Sequence, residues 1–261
     1  MTKLIIVEGL PCSGKSTAAK FIAEKLGFTA VDEGTCAHPA DFEFHAFLKS
    51  DELGSFSQEE QNIINKVAQH FSDGIIVPLG SFEGELFNRL LQHKVYDFLP
   101  WETEKPVMLE KWRSFAKTAG KGYVFNCVFL QNPMCETMMR FGFDEDASAA
   151  YINEIYSIIK PLSPVIAYLK TDSIAENIRA ALSERGEEWL NAVIDYHCSG
   201  EYGKANGLSG FEGYISALEE RQRREIRILE KLNIPHIIVD VNGSDRSNVC
   251  PDIISGLSRY I

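Results

Sequence analysis

The sequence predicts one α/β domain, a three-layer sandwich in which a mostly parallel five-stranded sheet lies between helices and carries a helical lid. Three observations lead there. Short apolar runs alternate with longer amphipathic segments, the pattern of a sheet wound from strand–helix units. The first apolar run enters a glycine-containing turn of defined spacing, and that turn opens a helix. The 261 residues are 45% hydrophobic, enough for one large core without a second domain. Residues 1–261 are therefore expected as a single domain, with a helical region at about 40–120 and a lid at about 180–210.

In chain order, residues 4–7 are wholly apolar, as in a central parallel strand covered on both faces. Lys15–Leu26 carries Phe21, Ile22 and Leu26 on one helical face, and Gly27 stops it. Residues 28–31 read as a second strand ending in Asp32-Glu33-Gly34. Ser57-Gln58-Glu59-Glu60 is a capping box opening a helix to about 71. Helices follow at 83–98 and 105–119, then a buried strand at 122–130 and a helix at 149–159. Residues 165–169 form another strand, with a helix from 173 to about 184. A charged helix at 211–232 precedes the last strand at 234–241. The mixed charge run at 219–227 reads as a solvated helix face.

Composition narrows the function classes. A formal charge of −11 argues against a general nucleic-acid or membrane-surface binder. The chain shows no signal-peptide architecture and no stretch approaching a membrane span, so a cytoplasmic protein without membrane or nucleic-acid partners is expected. Its six cysteines include no CxxC pair and read as reduced thiols. Oligomeric state has no signature here.

Gly9-Leu10-Pro11-Cys12-Ser13-Gly14-Lys15-Ser16 fits GxxxxGK[ST], the phosphate-binding loop or Walker A motif. Glycines let the backbone curl so that successive N–H groups point at phosphate oxygens, and the helix start adds partial positive charge. In this pattern Lys15 bridges the β- and γ-phosphates and Ser16 ligates Mg²⁺, while Thr17 supports the helix start or a neighbouring phosphate. ATP with Mg²⁺ is the expected pair. Glu8 either orients Lys15, acts through water near the metal, or accepts hydrogen bonds from loop amides. Cys12 lies where an alkylator would block nucleotide uptake.

Three classes of phosphate-loop protein compete. A regulatory GTPase needs NKxD, and Asn65-Lys66-Val67-Ala68 fails at its last position. A transporter ATPase needs an LSGGQ-type signature, which Leu208-Ser209-Gly210-Phe211 matches poorly. Small kinases close an arginine-bearing lid over the phosphates. Arg179 and Arg185, six apart after the strand at 165–169, suit that role by neutralising charge on the transferred group.

At these residues the chain resembles the nucleoside and nucleotide kinase superfamily, chiefly thymidylate kinases and deoxynucleoside kinases. The likeness is carried by Val7-Glu8-Gly9 with Gly14-Lys15-Ser16-Thr17, by Glu184-Arg185-Gly186, and by Ile237-Ile238-Val239-Asp240-Val241-Asn242-Gly243. It implies the P-loop NTPase fold, ATP- and Mg²⁺-dependent phosphoryl transfer to a small molecule, and a base bordered by Asn242, Gly243 and Ser244. The middle of the chain, about 40–160, departs from the family. Where those kinases often carry an Asp-Arg or Glu-Arg pair, this chain has Asn126, with Gln131 and Asn132 following. A hydroxyl acceptor needs a carboxylate base. Asp32 and Glu33 are the candidates, and the resemblance to deoxynucleoside kinases favours Glu33. Asp32 with His38-Pro39-Ala40-Asp41-Phe42 is also similar to the acid-then-His-Pro-x-x-Phe segment of zeta-toxin-type sugar-nucleotide kinases. A sugar or antibiotic kinase, and a slowly hydrolysing regulatory NTPase, stay open as alternatives.

Overall fold

The computed structural model describes residues 2–34, 36–120, 122–242 and 248–261. The chain divides into two compact units, one made of Met1–Asp32 and Ala119–Ile261, the other of Glu33–Thr118. The first unit begins with β1 (Leu4–Gly9), α1 (Lys15–Leu26) and β2 (Thr29–Val31). The second holds β3 (His45–Lys49), α2 (Ser50–Leu53), α3 (Gln58–Asn65), β4 (Gln69–Phe71), β5 (Gly74–Pro78), α4 (Gly84–Leu91), α5 (Val95–Phe98) and α6 (Trp101–Thr118). The first unit resumes with β6 (Tyr123–Asn126), α7 (Gln131–Met134), α8 (Glu145–Ile159) and β7 (Val165–Lys170). It closes with α9 (Ile174–Cys198), α10 (Glu201–Ala205), α11 (Gly210–Lys231), β8 (His236–Asp240) and α12 (Val249–Leu257).

The first unit is built on a five-stranded sheet in the order β2-β6-β1-β7-β8, every pair parallel. β1 lies at its centre, where Ile6 pairs with Phe125 on one side and Ile166 on the other. A strand covered on both faces reads as a continuous apolar run, and Leu4, Ile5, Ile6 and Val7 are fully buried. On one face Ile5, Val7, Ala167 and Leu169 pack against Ala18, Ala19 and Ile22 of α1 and Ile253 and Leu257 of α12. Tyr168, alternating with Ala167 and Leu169, points the other way and bonds Glu225 of α11. The sheet is thus the middle of three layers, as the sequence predicts.

In the first unit two elements depart most from expectation. The strand expected at 122–130 stops at Asn126, because Cys127 and Val128 turn into the left-handed region at φ 53 and 78. The helix expected to end near 184 continues to Cys198, interrupted only at Gly186 (φ 82, ψ 170). None of the six cysteines is joined in a disulfide. Among the described residues no helix is long and apolar enough to cross a membrane.

The second unit contains a three-stranded antiparallel sheet, β3-β5-β4, within a segment whose sequence pattern suggested only helices. The helix expected to reach 71 ends at Asn65, and the hairpin β4–β5 follows, turning at Ser72 (φ 54). Side chains alternate along β3. Ala46 and Leu48 join Ile64, Ile75, Val77 and Leu90, while Phe47 joins Ile76, Phe42, Tyr96, Val107 and Met108. The helix expected over 83–98 breaks after Leu91, with Tyr96 and Asp97 outside helical φ/ψ.

Candidate functional site

β1 delivers the chain to a tight loop at Gly9 (φ 141). A Cβ there would stand 2.5 Å from the Leu169 carbonyl oxygen, so only glycine lets the strand turn beside β7. Cys12 (φ 63) and Gly14 (φ 96) are both left-handed, and Ser13 N–H donates to the Leu10 carbonyl at 3.3 Å. Such turns aim successive N–H groups into a concavity that suits an anion. α1 starts there with no side-chain cap, so its first amides and the positive end of its dipole serve the same concavity. Lys15 is buried, with Nζ donating to the Leu10 carbonyl at 2.9 Å; Leu10 takes one of three ammonium donors. The Ser13 hydroxyl is buried without a hydrogen-bond partner among the described residues. Leu10 anchors the loop from below, fully buried against Ile174 and Ile178 of α9 and Tyr214 and Leu218 of α11.

The first unit has the P-loop NTPase fold.

Beside the P-loop, Asn126 at the end of β6 donates to Ser16 Oγ at 3.0 Å and approaches Asp32 Oδ1 at 3.5 Å. Asp32 in turn pairs with Lys20 at 3.1 Å. A hydroxyl, an amide and a carboxylate thus stand in one row across α1, β6 and β2. The Asn126 carbonyl oxygen is buried with no partner among the described residues. These are oxygen donors, the type a hard cation takes. Among the described residues no cluster of three or more His, Cys, Asp or Glu gathers to hold a metal. Sequence reasoning dismissed Asn126 because an amide is no base. Its tie to Ser16 spans 110 positions and leaves no local signal.

Glu8 is fully buried, and its carboxylate is turned to a second loop. It accepts the N–H groups of Phe129, Leu130 and Gln131 at 2.9, 2.8 and 3.2 Å. The left-handed residues Cys127 and Val128 precede those three amides in the chain. Burial, reinforced by the nearby Glu225 charge, raises the Glu8 carboxyl to about 7. Of the three readings of Glu8, hydrogen bonding to loop amides is what the geometry displays, with the 129–131 loop as donor.

α11 also overturns one expectation. Within the run 219–227, Arg221 and Glu225 are buried, Nε to Oε1 3.2 Å, with Tyr168 donating to Glu225 at 2.5 Å and Arg221 to the Cys135 sulfur at 3.3 Å. The two charged residues fall on the same face as Leu218, Ile228 and Leu229, all buried, and that periodicity was the available signal.

The two arginines expected in a lid, Arg179 and Arg185, both sit on α9. Arg179 lies over the Phe211 ring at 4.7 Å and 4.0 Å from Glu212, and Arg185 lies over Trp189 at 5.0 Å. Trp189 itself packs against the apolar cluster under Leu10. Asn242 accepts the Asp172 N–H at 2.7 Å and so ties the end of β8 to the loop after β7. Gly243 and Ser244 lie outside the described residues. Glu33 is exposed at the start of the second unit.

Within the second unit, a cavity of about 280 Å³ is lined by His38, His45 and Lys111 among others. His38 Nδ1 accepts the Ala40 N–H at 3.1 Å, which puts the ring proton on Nε2. Asp41 is buried close by, taking the Tyr96 hydroxyl at 2.5 Å on one oxygen and the Glu43 N–H at 3.1 Å on the other. Burial raises its carboxyl to about 6. Arg113 pairs with Glu110 on α6 at 3.2 Å.

No protein-family model and no curated protein matches the chain. Solved structures similar to it include a deoxyadenosine kinase from M. mycoides with bound dATP, at 17% identity and TM-score 0.44, covering 98% of this chain and 99% of that one. The YorR protein of Bacillus subtilis, in complex with phosphorylated GDP, is 12% identical over 99% of this chain and 98% of its own, at TM-score 0.47. Thymidylate kinase from Candida albicans is 14% identical over 99% and 92%, at TM-score 0.48.

Proposed function

We propose that the chain binds ATP with Mg²⁺ at residues 9–17 and passes the terminal phosphoryl group to a small molecule, a nucleoside or nucleotide. One observation carries this reading: left-handed turns at Cys12 and Gly14, an uncapped helix start and a buried lysine serve a single concavity.

The residues fit both groups. The buried, unpartnered Ser13 hydroxyl suits a phosphate oxygen, and Gly9 lets the strand turn tightly into the loop beside β7. Ser16 Oγ, with Asn126 and Asp32 beside it, offers oxygen to the metal. Bound there, the metal supplies charge neutralisation at the phosphate oxygens. Lys15 balances charge at the β- and γ-phosphates, and Arg179 and Arg185 add guanidinium groups from α9. Both arginines are exposed and held by aromatic faces and one ion pair at 4.0 Å, contacts weak enough to exchange for a phosphate. Asp32 or Glu33 receives the acceptor's proton. The link from Asp32 through Asn126 to Ser16 supports Asp32, while the family resemblance favours Glu33. Asn242 and Gly243 border the base in this reading.

Calorimetry with ATP and GTP in magnesium buffer, on the wild type and Lys15→Ala, tests the first step. Uptake lost in Lys15→Ala supports the proposal, and no uptake by the folded wild type refutes it. Labelled ATP offered with nucleosides, nucleotides, sugars and aminoglycosides then identifies the acceptor. Labelling of sugars or antibiotics alone replaces the acceptor class. Hydrolysis with no labelled acceptor replaces the kinase by a regulatory NTPase. Asp32→Asn and Glu33→Gln that both leave turnover unchanged remove the two carboxylates from the reaction.

A further inference from the structure

We infer that the second unit carries a binding site of its own, in the cavity at His38, His45 and Lys111, for a small molecule bearing an oxyanion group, a carboxylate or a phosphate. The inference concerns this unit alone and stands or falls apart from the nucleotide reading.

The lining chemistry is what points to an anion. Cys36, His38, Phe42, His45, Gln69 and Lys111 contribute to a wall in which no carboxylate takes part. Lys111 brings a positive charge, with Nζ 4.3 Å from the centre of the Phe42 ring. It forms no salt bridge among the described residues. Its neighbour Asp41 is already engaged on both oxygens by Tyr96 and by the Glu43 amide. A partly buried ammonium whose nearest carboxylate lies beyond ion-pair distance is only partly compensated for its desolvation, and an anion in the cavity would offset the rest. Burial accordingly lowers the Lys111 pKa, with Asp41 opposing.

The two histidines supply donors rather than further charge. Burial, with the Lys111 charge second, holds His38 at about 3 and His45 at about 4, so both rings are neutral at physiological pH. His38 carries its proton on Nε2, because Nδ1 accepts from Ala40. His45 is buried, at 7% exposure, and its Nδ1 has no hydrogen-bond partner among the described residues. Buried polar atoms are nearly always satisfied, and this unpartnered nitrogen belongs to a ring that lines the cavity. The volume of about 280 Å³ exceeds the needs of a bare ion and approaches the ~300 Å³ lower bound of small-molecule pockets. Phe42 gives the remainder of such a molecule an apolar face.

The test uses the full chain with Lys15→Ala, which takes the first unit's own phosphate affinity out of play, and ¹⁵N-labelled histidine. Inorganic phosphate and acetate are titrated separately against sodium chloride of equal ionic strength, and the imidazole signals of His38 and His45 are followed. Saturable shifts at both residues with phosphate only assign a phosphoryl group, and with acetate only a carboxylate. Adding Lys111→Met should weaken binding about ten-fold. No shift beyond that of chloride with either probe overturns the inference. So does unchanged affinity in a Lys111→Met chain whose histidine spectrum is otherwise native. Should that variant not fold, Gln69→Ala is read instead, with weakened binding expected and unchanged binding decisive against the site.

Discussion

Glu8→Gln separates charge from shape at the most buried acid of the first unit. The wild-type carboxylate sits under three amide donors, Phe129, Leu130 and Gln131, and titrates near 7 against an ordinary 4.5. The folded chain therefore holds this proton more tightly than the unfolded one. The associated stability is fully present below pH 4.5 and is lost as pH rises through 7. At 1.36 kcal/mol per pH unit, the loss between pH 5 and pH 8 comes to about 2.5 kcal/mol. The substituted amide preserves the volume and one acceptor oxygen but does not titrate. Urea denaturation followed by circular dichroism at pH 5, 6, 7 and 8 gives both stability profiles. The buried Asp41, held at about 6, slopes in the same direction but is common to both chains and cancels in the difference. The difference should drift by about 2.5 kcal/mol in favour of the variant as pH rises. Profiles parallel to within about 0.5 kcal/mol would show that the fold does not hold the Glu8 proton, and the argument from burial would fail.

Three further outcomes are expected. Cys12→Gly relieves a left-handed residue, worth about 1 kcal/mol, against a similar entropic cost of glycine. Its stability should thus match the wild type, while iodoacetamide treatment should cease to affect nucleotide uptake measured by calorimetry. Tyr96→Phe deletes the hydroxyl that Asp41 accepts and should cost about 1.5–3 kcal/mol in urea denaturation, more at pH 8 than at pH 5 because the ionised carboxylate needs that donor most. Arg221→Met leaves Glu225 buried without its cation and should cost about 3–5 kcal/mol, whereas Arg221→Met with Glu225→Leu should recover most of it.

The parts legible in the sequence were those set by local rules. Lys15–Leu26 was readable to the residue because the loop motif fixes its start and Gly27, at φ 67, fixes its end. β1 and β7 were readable because strands covered on both faces are continuously apolar. β3, β4 and β5 were missed because each is only three to five residues long and their pairing is non-local. The end of β6 was misplaced because Val128 is β-branched and poorly suited to the left-handed region, so no propensity announces a turn there. In α9, the helix expected to end near 184 resumes after a break at Gly186 and runs to Cys198, because one residue outside helical φ/ψ does not stop it. In the site, Lys15 and Ser16 followed from spacing alone. The contacts of Asn126, Glu8 and Arg221 join distant segments, and such pairings exist only once the chain has folded.

β2 and β6 are neighbours in the sheet, Thr29 opposite Tyr123, yet residues 33–118 intervene between them. A parallel pair requires a connection of only a dozen or so residues. Here the connection has a sheet and apolar clusters of its own. The joint between the two strands therefore makes almost no demand on what is spliced into it. The strand order and register of the parallel sheet set where that segment leaves and where it rejoins, and the phosphate loop belongs to the unit outside it.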